Sequence, residues 1–286
     1  MKIRLTILGN CQGAFLQNLA KRFPDQFVVN NTPDMYQQDE SYFVEFKRII
    51  ENSDVVISRH FAEGLKFTPA ITKNLKNVLK EKLIVFPNIY FNGYFPDFFV
   101  PYNKLGKAIQ GIAGDYHSRT IYDCYKKKMS ENEAINEIFL LEQKEKYKSS
   151  FENSFKLLTE KEKESDIKVS DLIIDRGSGV PRLYTYNHPK NFILYKVFER
   201  VLERIGVDIK IDGDPLQNWA LDWKILPIYP YLCKNYNISE EYASYVWKTR
   251  VLPLGILNEK SHRVVEIDEF VASSYEKYRE NEVPQG

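Results

Sequence analysis

Ile3-Arg4-Leu5-Thr6-Ile7-Leu8-Gly9-Asn10-Cys11-Gln12-Gly13 runs directly into Ala14-Phe15-Leu16-Gln17-Asn18-Leu19-Ala20. The first six residues alternate and are rich in apolar and β-branched types, which is the period of a half-buried strand, and the run from Ala14 returns at helical spacing. The glycine-bracketed break between them is a turn signal. The stretch therefore reads as strand, tight turn, helix. The pattern recurs downstream, with strands over Gln26–Val29, Asp54–Ser58 and Leu83–Phe86. Helices fall between them, over Ser41–Glu51 with Phe43, Phe46 and Ile50 on one face, and over Pro69–Leu79 with the proline at a first helical position. Strands alternating with helices predict an open, mostly parallel sheet. In such sheets ligands lie beyond the carboxyl ends of the strands, where Gly9–Gly13, Ser58–His60 and Pro87–Asn92 all fall.

Working outward, residues 1–117 form the α/β domain that carries the Gly-Asn-Cys-Gln turn. Residues 118–165 shift to Lys and Glu, with Ile138, Leu141, Tyr147, Phe151, Phe155 and Leu158 at helical spacing, and read as a helical arm or lid. The mixed-sign run Glu160–Glu164 reads as a solvated helix face. In residues 166–286, Val169–Ile174 reads as a strand, and Asn187 or His188 as the cap of a helix from Pro189 to about Ile205. A further helix is expected over Ser239–Lys248. The fold class is α/β, with an N-terminal open, mostly parallel sheet flanked by helices, a helical insertion and a mixed, helix-rich C-terminal part.

The chain of 286 residues carries 40 basic and 39 acidic side chains, a net charge of +1. No global field exists to hold nucleic acid or an anionic membrane, so an anionic ligand must be held locally. No stretch approaches the roughly 18 apolar residues of a membrane helix. The apolar segment after Met1 ends at Gly9, short of a secretory h-region, which makes the cytoplasm the expected location. Cys11, Cys124 and Cys233 are an odd number without a C-x-x-C pair, which argues against a disulfide framework and a structural zinc; no metal is expected.

Cys11 stands on the turn from the first strand into the first helix, where backbone N–H groups and the positive helix end can lower a thiol pKa or hold an oxyanion. The competing reading is a small buried cysteine that tolerates the turn. Gly9 and Gly13 would permit the close backbone approach a ligand requires. Histidine is scarce: His60, His117, His188 and His262 are the candidate proton carriers. His188, placed at a helix N-terminus, would stay neutral and able to accept a proton. His117, just before a helix, is a second candidate; His60 lies at a strand end, and His262 sits in a polar stretch. Arg59, also at a strand end, suits a phosphate or carboxylate. Asp175-Arg176-Gly177-Ser178-Gly179 and Asp212-Gly213-Asp214 match no phosphate or calcium loop and read as turns. Phe86 to Tyr94, with Asn88, Tyr90 and Asn92, would make a cleft wall of amides and rings.

Taken in order, Gly9-Asn10-Cys11-Gln12, Phe86-Pro87-Asn88-Ile89-Tyr90, Gly93-Tyr94, Tyr116-His117 and Asn187-His188-Pro189 resemble the WcbI-type polysaccharide biosynthesis acetyltransferase family over about residues 3–205. The resemblance implies an acetyl-coenzyme A-dependent O-acetyltransferase acting on a sugar hydroxyl of a capsular or surface polysaccharide. It implies Cys11 as the thiol and His188 as its partner, with His117 as second candidate. Gly9, Asn10, Gln12, Gly13, Asn88 and Tyr90 would then line the coenzyme A site, and Arg59, Arg119 and Arg176 would meet its phosphates. The acceptor would be a polysaccharide, a sugar nucleotide or a lipid-linked sugar, with no nucleic acid involved; a homo-oligomer stays open. Direct attack of the sugar hydroxyl and transfer through Cys11 are both consistent with these residues. Two other readings compete: an SGNH-type esterase, which the absence of a late Asp-x-x-His block weakens, and a non-catalytic carbohydrate-binding module. A glycosyltransferase would need an Asp-x-Asp metal-phosphate site at a strand end, which the sequence does not offer.

Overall fold

The computed structural model describes residues 1–140, 146–174, 179–213, 216, 221–239, 242, 247–250 and 262–286. They form two compact units built from interleaved segments: Met1–Tyr90, Lys156–Ile174 and His188–Leu221 in the first, Phe91–Phe155, Asp175–Asn187 and Asp222–Gly286 in the second.

The first unit holds the expected parallel sheet. Strands β1 (Ile3–Leu8), β2 (Phe27–Asn30), β3 (Val55–Arg59) and β4 (Leu83–Phe86) lie in the order β2-β1-β3-β4. All pairs are parallel, with Ile3 opposite Phe27, Leu5 opposite Val55 and Arg59 opposite Phe86. The chain leaves β1 toward one edge and returns to β3 on its other side, so the strand order reverses between β1 and β3. Helices α1 (Cys11–Ala20), α2 (Phe43–Glu51) and α3 (Thr72–Leu79) make the connections. On one side Leu8, Val56 and Val85 pack with Phe46, Phe61, Phe67 and Leu75 in a single cluster. Elsewhere Phe15 of α1 meets Tyr195 of the helix Asn191–Arg204 at 5.5 Å between ring centroids. Each such fully buried side chain contributes about 2 kcal/mol of transfer free energy.

The second unit centres on Asp97, which is fully buried. Its carboxylate accepts hydrogen bonds from Thr120 N at 3.0 Å, Thr120 Oγ1 at 2.7 Å, Tyr147 OH at 2.8 Å, Tyr229 OH at 2.6 Å and Ser118 Oγ. Ser118 in turn caps α4 (Arg119–Lys126), accepting from Ile121 N. The carboxylate therefore organises a helix start, where the dipole favours negative charge.

Several local expectations are corrected. Val169–Ile174 is not a strand: Ser170–Ile174 is a short helix, and buried Glu162 accepts from the N–H groups of Val169 and Ser170 and from Ser170 Oγ, satisfying donors a strand would have given to a neighbour. The next long helix starts at Asn191, with Lys190 as its cap, while His188–Pro189 is extended. Asn187 does not cap it, because its side-chain oxygen accepts from Tyr116 OH at 2.7 Å and Thr185 Oγ1 at 2.8 Å. On α2 the buried face is Phe46, Ile49 and Ile50, and Phe43 is exposed. Pro69 opens a 3-10 turn, Thr68–Ala70, rather than α3. The helix expected over Ser239–Lys248 falls largely outside the described residues, and its end lies in the strand Trp247–Arg250.

Candidate active site

Cys11 is the first residue of α1, immediately beyond β1. Asn10 caps the helix, its side-chain oxygen accepting from Gln12 N at 3.2 Å. Gln12 is fully buried and fastens the turn to the segment after β4: its Nε2 donates to Ile89 O at 2.9 Å and its Oε1 accepts from Ile89 N at 3.4 Å. Its amide thus holds the backbone of the site. Gly9 and Gly13 also have an internal reason, since a Cβ on Gly9 would stand 2.7 Å from Gly13 Cα. The pair lets the start of α1 pass across the end of β1, and this packing accounts for both glycines without a ligand.

The thiol of Cys11 is pushed up to about 11, first by desolvation, against the favourable N–H groups of Gln12 and Cys11 and the charge of Arg59. A lowered pKa from the helix end was the sequence expectation; loss of water outweighs it here. Alkylation of Cys11 should accordingly accelerate about tenfold per pH unit from pH 7 to pH 10. The measurement compares the wild type with Cys11→Ala to subtract Cys124 and Cys233; a rate already level at pH 8 would contradict it.

Arg59 ends β3, beside β1 at the reversal in strand order, the position where parallel sheets of this kind open a crevice. It is 4% exposed. Its guanidinium donates to Tyr36 OH and lies 4.9 Å from the Tyr36 ring centroid and 5.3 Å from that of Phe61, while its Nε has no hydrogen-bond partner among the described residues. Tyr36 is delivered by a turn after β2, where Asp34 accepts from Tyr36 N at 2.9 Å and Met35 N donates to Gly9 O at 3.2 Å. A cavity of about 430 Å³ opens here, lined by Tyr36, Arg59, His60, Asn88, Lys161 and Glu164. Lys161 Nζ stands 5.7 Å from the Tyr90 ring centroid, and desolvation followed by the charge of Arg59 lowers its pKa.

Sequence reading missed Tyr36, Asp34 and Lys161. The first two sit in a loop without a motif, and Lys161 belongs to the run taken as a solvated helix face. The signal available was the local excess of turn-forming residues after β2, which says that the chain bends but not toward what.

The four histidines separate sharply. His188 lies in the same unit as Cys11, half-buried on its short extended segment rather than at a helix start. His60 pairs with Glu164 at 2.8 Å. His117, in the second unit, has both ring nitrogens occupied, by Tyr278 OH at 2.9 Å and Ile109 O at 3.1 Å. A carbonyl only accepts, so Nε2 carries the proton and Nδ1 accepts from Tyr278. His262 lies in the strand His262–Val265 of the second unit.

Burial holds the His117 pKa down to about 4. Its folded value is below the ordinary 6.5, so the stability it contributes is present above pH 6.5 and is lost as pH falls toward 4, a total of about 3 kcal/mol. Denaturant titrations at pH 7 and pH 4 should show this loss in the wild type and a smaller one in His117→Gln. Equal losses in both would remove His117 as the cause.

Arg119, also in the second unit, lays its guanidinium 3.4 Å from the Phe99 ring centroid and is exposed. Phe91 and Tyr94 do not form an open wall: they pack with Phe151, with centroids 4.8 to 5.6 Å apart, in a buried aromatic cluster. Arg176 lies outside the described residues. Among the described residues no helix is long and apolar enough to cross a membrane, and no group of three or more His, Cys, Asp or Glu side chains is disposed to hold a metal.

None of the curated proteins matches this sequence. Among solved structures, one of WcbI, a polysaccharide biosynthesis enzyme in a native form without a disulfide bond between coenzyme A and a cysteine, is similar with a TM-score of 0.74. The likeness covers 98% of this chain and 91% of that one at 14% identity, and it establishes a shared fold. The model of the family "Polysaccharide biosynthesis enzyme WcbI" matches residues 4–209, a span that takes in all of the parallel sheet but Ile3, together with Cys11, Arg59 and His188. The chain accordingly belongs to the WcbI family of polysaccharide biosynthesis enzymes.

Proposed function

We propose that this enzyme transfers an acetyl group from acetyl-coenzyme A to a hydroxyl of a polysaccharide or of a sugar precursor, with the reacting end at Cys11. The observation that carries the reading is the place of Cys11: first residue of α1, at the reversal of the sheet, in the same unit as His188. The similar WcbI structure, a form without a disulfide bond between coenzyme A and a cysteine, supports it, because that distinction pairs the coenzyme's sulfur with a cysteine in WcbI.

In the proposed step the sugar oxygen attacks the thioester carbonyl carbon and passes its proton to His188. The tetrahedral oxyanion meets the N–H groups at the start of α1. The C–S bond then breaks, and the proton leaves on the thiol of coenzyme A. Burial raises the Cys11 pKa and keeps its thiol protonated at neutral pH. This favours direct attack by the sugar over a resting acyl-accepting thiolate.

Calorimetric titration with coenzyme A and acetyl-coenzyme A tests the reading, with Cys11→Ala as the control for capture as a mixed disulfide. Saturable micromolar binding of both, followed by a mass gain of one acetyl group on a glycan acceptor, is the expected result. If neither ligand binds, the transferase reading fails.

A further inference from the structure

We infer that the cavity at Arg59 and Lys161 is the acceptor subsite, and that it selects an acceptor sugar bearing an anionic group, a carboxylate or a phosphate, next to the hydroxyl to be acetylated. The inference rests on the proposed function, and it begins from an unsettled charge. Arg59 is 4% exposed, and among the described residues its Nε has no hydrogen-bond partner and its one hydrogen bond goes to the neutral hydroxyl of Tyr36. Removing a guanidinium from water is costly unless an anion compensates it.

No carboxylate among the described residues forms an ion pair with Arg59, and Asp34 offsets its charge only in part, since desolvation still lowers the Arg59 pKa. The two carboxylates on the cavity wall have other partners, Glu164 with His60 at 2.8 Å and Glu160 with Lys163 at 2.6 Å. Lys161 adds a second cation to the same wall, likewise without an ion pair among the described residues. Arg59 and Lys161 act on each other as like charges on one cavity of about 430 Å³, and an anionic ligand between them would relieve that repulsion. That volume admits a monosaccharide, and Asn88 supplies an amide for its hydroxyls.

Coenzyme A also carries anions, yet its phosphates are the wrong ones for this place. Arg59 and Cys11 are close enough to shift each other's ionisation. If the coenzyme's sulfur is at Cys11, its phosphates lie at the far end of the pantetheine arm, and a cation beside the sulfur cannot reach them. The group that must stand beside the reacting carbonyl is the acceptor. A guanidinium there recognises a planar carboxylate or a phosphate by paired N–H donors, which a neutral sugar does not offer.

The test measures binding of glucuronate, glucose 1-phosphate and glucose to the full chain by ligand-observed NMR, alongside coenzyme A affinity by calorimetry. The proteins are the wild type, Lys161→Met and Arg59→Gln; Lys161 is exposed, so its variant keeps the fold even if Arg59→Gln does not. One or both anionic sugars should bind at least tenfold more tightly than glucose, and Lys161→Met should weaken them about tenfold while changing coenzyme A affinity less than about threefold. Preference for glucuronate identifies an acidic sugar; preference for glucose 1-phosphate identifies a sugar phosphate. Three outcomes overturn the inference: glucose binding as well as both anions, no anionic sugar binding at about 10 mM, or Lys161→Met costing coenzyme A affinity tenfold with sugar binding unchanged. Failure of the wild type to bind coenzyme A removes the transferase reading instead, a result independent of the sugar comparison.

Discussion

His188→Ala is expected to lower kcat for acetyl transfer by a factor of about 10² to 10⁴, the range lost when a positioned general base is removed. Coenzyme A affinity should change less than about threefold, because the loss belongs to the proton transfer and not to ligand binding. The case for this histidine is partly one of elimination. The ring of His117 is closed on both sides by Tyr278 and Ile109, which removes it as a base. His188 shares the unit of Cys11 and lies within the family match. Steady-state kinetics with acetyl-coenzyme A at saturation, and calorimetry on the same variant, check both halves. Turnover at the wild-type rate would remove His188 from the mechanism, and loss of coenzyme A binding would assign it to the ligand site.

For stability, the largest single loss is expected at Asp97. Its two oxygens receive five donors from Ser118, Thr120, Tyr147 and Tyr229, all of them buried. Asp97→Leu strands these donors away from water, and each hydrogen bond to a charged group is worth roughly 1.5–3 kcal/mol. Because the hydroxyls share one acceptor and can partly re-pair, the sum is not additive, and a loss of about 4–6 kcal/mol is expected, a large part of the stability of an ordinary domain. Asp97→Asn keeps the shape and one acceptor oxygen, and should lose about half as much. Urea unfolding of the two variants decides: a loss below about 1 kcal/mol for the leucine variant would mean that the network is replaceable.

The local order of this protein was written in short-range patterns. Alternation over Ile3–Leu8, the continuous apolar run Leu83–Phe86 and the helical spacing after Ala14 each depend on neighbours in the chain, so the parallel sheet and the position of Cys11 beyond the carboxyl end of β1 could be read from the residues alone. Where the reading failed, the deciding partner was distant. Ser170–Ile174 looked like a strand until the carboxylate of Glu162 took its N–H groups, and the helix after Pro189 lost its expected cap because Asn187 turned to Tyr116.

The site shows the same division. Sequence placed a cysteine, a glycine pair and an arginine at strand ends, since those are facts of register. It could not say that desolvation would outweigh the helix dipole at Cys11, that Gly9 and Gly13 serve each other, or that Tyr36 and Lys161 would meet Arg59. Burial and electrostatic coupling are properties of atoms brought together from positions far apart in the chain, and only the folded arrangement decides their sign.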